Sequence, residues 1–128
     1  MSRASRTENA MTTTELNAVA TARSLVDASQ RVIDVALTRT AELTDGGAGI
    51  DDYQVQVERV AYLATQIRAA RQLVAFVERL AEVGARDAQS ETAAFVYAAE
   101  ATHALRSSLE VAGDDLVVAP EAAELDTR

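Results

Sequence analysis

Residues 60–77 read Val60-Ala61-Tyr62-Leu63-Ala64-Thr65-Gln66-Ile67-Arg68-Ala69-Ala70-Arg71-Gln72-Leu73-Val74-Ala75-Phe76-Val77, and their spacing decides the fold. Val60, Leu63, Ile67, Ala70, Val74 and Val77 recur at intervals of three and four, which lines them up along one side of a helix. Ala69, Leu73, Phe76, Leu80 and Val83 form a second row beside the first. Glu58, Thr65, Arg68, Gln72, Arg79 and Glu82 occupy the opposite face. Two adjoining apolar rows and one solvated face describe a helix packed against two partners. Followed outward, the pattern runs from about Asp51 to Val83, with Asp51 and Asp52 placed where the helix dipole favours negative charge and Gly84 ending it.

The flanking segments supply the partners. A first helix is expected from about Thr13 to Leu43, capped by Thr13 or Thr14, with Glu15 in its first turn. Its apolar residues include Leu16, Val19, Leu25, Val26, Val32, Ile33, Val35, Ala36 and Leu37, a stripe wide enough to meet more than one neighbour. Asp45-Gly46-Gly47-Ala48-Gly49 reads as a tight interhelical turn, with Gly46 at the left-handed position past the helix end. A third helix is expected from Asp87 or Ser90 to about Ala112, with Phe95, Ala98, Thr102, Leu105, Leu109 and Ala112 on its core face and Gly113 stopping it. Pro120 suits the first position of a short fourth helix reaching Leu125. The expected fold is an all-α, up-down bundle of three long antiparallel helices with room for a short fourth. Its organisation is a disordered tail over residues 1–12, a bundle over 13–113, and a tail or short helix over 114–128. Helices of roughly 30 residues span about 45 Å, and three of them leave part of the wide apolar faces uncovered, so completion by self-association or by another protein is expected.

Composition agrees with this reading. The 128 residues are 48% hydrophobic but only 4% aromatic, so Ala, Val and Leu must fill most of the core. Net charge is −8, from 12 basic and 20 acidic residues, which argues against nucleic acid and anionic membranes as partners. There is no Cys to form disulfides, act as a thiolate nucleophile or bind zinc. No stretch approaches the ~18 apolar residues of a membrane span, and residues 1–11 lack the apolar centre of a secretory signal. A cytoplasmic location is expected by default, with either Met1 or Met11 as the start.

Few groups offer chemistry. Glu100 and His103 form the one E-x-x-H of the chain and lie on one helical face, a spacing used by metal-binding bundles. With a single His, only a symmetric dimer completes such a site. The shortage of His also removes the usual nucleophile–base pairs. The glycine cluster lacks the Lys-Ser/Thr ending of a phosphate-binding loop. Arg59, Arg68, Arg71 and Arg79 lie along one helix, Arg71 nearest the apolar edge, where an inward Arg would pair with a buried carboxylate.

From Asp51 onward the chain resembles the C-terminal helical bundle of acyl-CoA dehydrogenases. The resemblance is carried by Asp52-Tyr53-Gln54, Val60-Ala61-Tyr62-Leu63-Ala64, Ile67-Arg68-Ala69-Ala70-Arg71-Gln72-Leu73-Val74, Gly84 and Ala99-Glu100-Ala101, with Gly113 near the family's glycine pair. It implies the bundle fold. Of the family's flavin-contacting positions, Gln54 and Gly47 match, whereas Leu43 stands in place of an Arg, Gly46 in place of a Phe, Glu110 or Val111 in place of a Gln, and Asp114 in place of a Gly. Asp114 and Asp115 would repel a pyrophosphate. The segment Gln54–Tyr62 is also similar to the accessory helical segment preceding the core of methylsuccinyl-CoA dehydrogenases.

The resemblance thus implies a non-catalytic bundle serving as an oligomerisation or accessory module of a CoA-thioester dehydrogenase system. No catalytic residue and no cofactor of its own are expected, FAD entering only if shared with a partner chain. The expected partners are further copies of the chain or an acyl-CoA dehydrogenase-type protein. Two alternatives stand beside it: a flavin-sharing small subunit of a split acyl-CoA dehydrogenase, and a dimeric metal-binding protein using Glu100 and His103.

Overall fold

The computed structural model describes the backbone of residues 2–116 and the side-chain surroundings of residues 17–111. Three helices make up the fold: α1, Ser2–Leu43; α2, Gln54–Glu82; and α3, Ala88–Leu116. A 3-10 turn, Ile50–Tyr53, leads into α2. Each helix packs against both of the others. The links are short, so successive helices run antiparallel and the chain forms an up-down-up, all-α bundle.

The core is a three-sided seam. From α2 it takes Val60, Leu63, Ile67, Ala70, Val74 and Val77, the row that the spacing of residues 60–77 marks out. α1 contributes Ala22, Val26, Ala28, Val32, Ile33 and Ala36, and α3 contributes Ala94, Ala98, Ala101 and Leu105. Seven of these sixteen residues are Ala, so the helices approach closely and the few large side chains carry much of the burial energy. Ile33, Ile67 and Leu105 are fully buried, each stabilising the fold by about 1.5–3 kcal/mol. The buried hydroxyls of Ser29 on α1 and Thr102 on α3 satisfy each other at 3.1 Å, so neither is left unpaired in the seam.

Backbone hydrogen bonds close both helix ends in the same way. At the end of α2, Gly84 donates to the Ala81 carbonyl and Ala85 to that of Leu80, with Gly84 at φ +72°. At the end of α1, Asp45 donates to Glu42 and Gly46 to Ala41. The left-handed residue of this second motif is Asp45, φ 52°, one position before the expected Gly46, although Gly46 and Gly47 also have positive φ. Asp tolerates this conformation better than most side chains because it is short and polar.

Other element boundaries differ from those the sequence marks out. α1 begins at Ser2, well before Thr13, and Thr13 and Thr14 stand inside it rather than capping it. Apolar periodicity marks where a helix is packed, not where its backbone begins. Asp51 and Asp52 lie in the 3-10 turn, and α2 itself starts at Gln54. Gly113 does not stop α3, which continues to Leu116. A glycine ends a helix only where the chain turns left-handed at it; otherwise it costs about 1 kcal/mol relative to Ala and the helix continues. The expected helix from Pro120 to Leu125 lies outside the described residues.

Gly84 and Gly49 separate backbone strain from crowding. A Cβ at Gly84 meets nothing within 4 Å, but its φ is left-handed. A Cβ at Gly49 makes only ordinary contact with Thr44. Urea denaturation should show Gly84→Ala destabilised by about 1 kcal/mol and Gly49→Ala close to unchanged.

Candidate functional site

The turn between α1 and α2 holds Gly47, and Gln54 opens the helix behind it. Binding a phosphate here would require backbone amides directed at the ligand. These amides are committed internally. Gly47 and Gly49 donate to the Thr44 carbonyl at 3.1 and 2.8 Å, Ala48 to Asp45 at 3.3 Å, Ile50 to Gly47 at 3.2 Å and Asp52 to Gly49 at 3.2 Å. Thr44, almost fully buried, anchors the turn by donating its own hydroxyl to the Thr40 carbonyl at 2.8 Å. The Gln54 amide lies 3.4 Å from Asp51 Oδ1. The turn reverses the chain, and its neighbouring Asp45, Asp51 and Asp52 make its surroundings acidic.

Glu100 and His103 are both exposed on the outer face of α3. His103 Nε2 lies 3.5 Å from Ser107 Oγ, one turn further along the same helix. The structure brings Glu100 and His103 onto one face, as their spacing requires, but directs them away from the seam. Among the described residues no group of three or more His, Cys, Asp or Glu side chains is placed to hold a metal ion.

The partly or fully buried ion pairs involve other residues. Arg23 on α1 grips Glu78 on α2 with two nitrogens, Nε lying 3.1 Å from Oε2 and Nη2 meeting Oε1. Its third nitrogen reaches Asp27 at 3.2 Å. The hydrogen bond to Glu78, then that to Asp27, raises the Arg23 pKa above its ordinary value against the opposing effect of burial. Arg71, the arginine nearest the apolar edge of α2, is exposed. With Arg68, Gln72, Ala75 and Arg23 it borders a surface hollow of about 290 Å³.

A more deeply buried pair lies at the α2–α3 corner. Glu91 is 2% exposed and takes two hydrogen bonds of 2.9 Å from Arg86 in the link. Asp87, between them in sequence, caps α3 by accepting the Ser90 amide at 3.2 Å and the Ser90 hydroxyl. These bonds lower the Asp87 pKa below the ordinary aspartate value, the side-chain bond from Ser90 being the largest cause. Sequence reading passes over Glu91 because a carboxylate suggests a solvated face. The available signal is that Glu91 continues the 94, 98, 101, 105 row by one step and follows an arginine five residues earlier.

A further feature is an apolar surface. Val55, Tyr62 and Phe76 on α2 and Val83 just past its end are 63%, 64%, 43% and 76% exposed. Leu73 and Leu80 beside them are half-buried. The second row of α2 is therefore only partly covered by this chain's own helices. No helix of the described residues is long and apolar enough to cross a membrane. No protein-family model, curated protein or solved structure matches the chain.

Two predictions concern the α2–α3 corner. Arg86→Met should cost about 3–5 kcal/mol in urea denaturation, because it leaves the Glu91 carboxylate buried and unpaired; adding Glu91→Met should recover much of that loss. Carbon-detected NMR titration should find Asp87 ionising below the usual aspartate range. Since its folded pKa is depressed, its contribution to stability is present above the unfolded-state pKa and lost as pH falls through the folded one. Asp87→Asn keeps a capping oxygen and should remove that part of the acid sensitivity.

Proposed function

We propose that this chain is a non-catalytic helical-bundle module that works by contact, as an oligomerisation or accessory module of a CoA-thioester dehydrogenase system. The observation that supports contact is an apolar strip along α2, where Val55, Tyr62, Phe76 and, just past the helix end, Val83 face water. Such a row rimmed by polar residues suits a protein interface. The committed amides of the glycine turn and the outward placement of Glu100 and His103 favour a contact role over a ligand-binding one. The link to a dehydrogenase system rests on the sequence pattern between Asp52 and Gly84 and on Ala99-Glu100-Ala101. On that reading the further partners are acyl-CoA dehydrogenase-type proteins, and the chain carries no flavin of its own.

Sedimentation velocity of the purified chain, alone and mixed with acyl-CoA dehydrogenase-type proteins, tests this proposal. The expected result is a concentration-dependent oligomer or a complex, without flavin absorbance. A chain that stays monomeric and binds none of them overturns the contact reading. A yellow chain with bound flavin overturns the non-catalytic one in favour of a flavin-sharing subunit. Iron or zinc that co-purifies and is lost in His103→Ala would favour a metal-binding dimer instead.

A further inference from the structure

The partly covered face of α2 has an internal order that its apolar character alone does not require. Val55, Tyr62, Ala69, Phe76 and Val83 follow one another at steps of seven, and Arg59, Gln66, Leu73 and Leu80 follow at the same steps, four residues later. These are the spacings of the two core positions of a heptad repeat, filled by large apolar side chains at Val55, Tyr62, Leu73, Phe76, Leu80 and Val83 and interrupted by Arg59, Gln66 and Ala69. The buried row, Val60, Leu63, Ile67, Ala70, Val74 and Val77, is a separate seam on the same helix. α2 therefore carries one heptad seam for its own bundle and a second for another helix.

We infer that the occupant of this second seam is α2 of a second copy of the chain, laid antiparallel across a two-fold axis near residues 67 and 68. The inference rests on the proposed contact role and names its surface, partner and register. Antiparallel heptads place each core position of one kind opposite one of the other kind. In this register Val55 faces Leu80 of the second copy, Tyr62 faces Leu73, and Phe76 faces Arg59. Aromatic rings thus meet an aliphatic side chain and a guanidinium, both favourable contacts for a ring face. Near the axis Ala69 faces Gln66, small against large.

Charge selects the same register. The positions flanking the seam on its solvated side are Glu58, Thr65, Gln72 and Arg79, all exposed. Antiparallel pairing about this axis puts Glu58 beside Arg79 of the second copy and Thr65 beside Gln72, each pair occurring twice by symmetry. Parallel pairing instead sets this flank on opposite sides of the seam in the two copies, so Glu58 meets no Arg79.

The test uses the full chain. Light scattering should give a dimer. Glu58→Arg alone and Arg79→Glu alone should each weaken it by about tenfold or more in dissociation constant, and the double exchange Glu58→Arg/Arg79→Glu should restore it. All three variants alter exposed positions, and circular dichroism should find them folded. The chain has no Cys, so single cysteines report register directly. Thr65→Cys mixed with Gln72→Cys should form a mixed disulfide faster than either alone. A dimer indifferent to the charge exchange, or one in which Thr65→Cys links fastest to itself, overturns this interface and leaves the contact role standing. A monomer at all concentrations overturns the self-pairing, and the contact role falls with it only if the chain also binds no dehydrogenase-type protein.

Discussion

The bundle depends on how closely three helices can approach one another. Alanines at 22, 28, 36, 70, 94, 98 and 101 line the seam, and they allow Ile33, Ile67 and Leu105 to be fully enclosed by so few large neighbours. Small residues bury little area apiece, so the seam gains stability through fit more than through volume. The same economy explains why polar groups can enter it. Ser29 and Thr102 meet where two helices are close enough for hydroxyls to bond directly. Glu91 is held under the corner by an arginine arriving from the link, not from a helix.

Much of this is legible in the sequence, but unevenly. The α2 seam coincides with the row written in residues 60–77 because Val, Leu and Ile stand at nearly every buried position. On α3 the phase is harder to read. Ala98, Thr102 and Leu105 of the expected core face are buried, yet Phe95 and Leu109 are only half-buried, and Ala94 and Ala101 enter the seam instead. Alanine suits both core and surface, so an Ala-rich helix signals its face weakly. On α1, Ala28 and Ser29 were hidden for the same reason. Helix ends were legible where a glycine takes the left-handed place, as at Gly84, and not where Asp45 takes it.

The candidate site was legible mainly as a shortage. Glu100 and His103 fall on one face because i,i+3 spacing leaves no other choice, whereas their direction depends on helix packing that the motif does not encode. The inter-helical partnership of Arg23 with Glu78 spans 55 residues and has no local signature. The second seam of α2 shows the opposite case. Ala69, Leu73, Phe76, Leu80 and Val83 were readable as a row, and the structure adds that three helices leave it partly uncovered and that Val55 and Tyr62 are exposed as well.

The two corners of the bundle are built differently, and this divides the cost of closing the chain unequally. Between α2 and α3 the link is a few residues long, with Gly84 turning the chain, Asp87 capping α3 and Arg86 tying the link to Glu91. Between α1 and α2 the reversal is longer and contains three successive residues at positive φ. Closing a short, well-determined loop loses less chain entropy and forms contacts between near neighbours in sequence. Each doubling of loop length costs only about 0.6 kcal/mol, so the longer reversal is a minor penalty on α1, and its packing against both α2 and α3 is what keeps it in place.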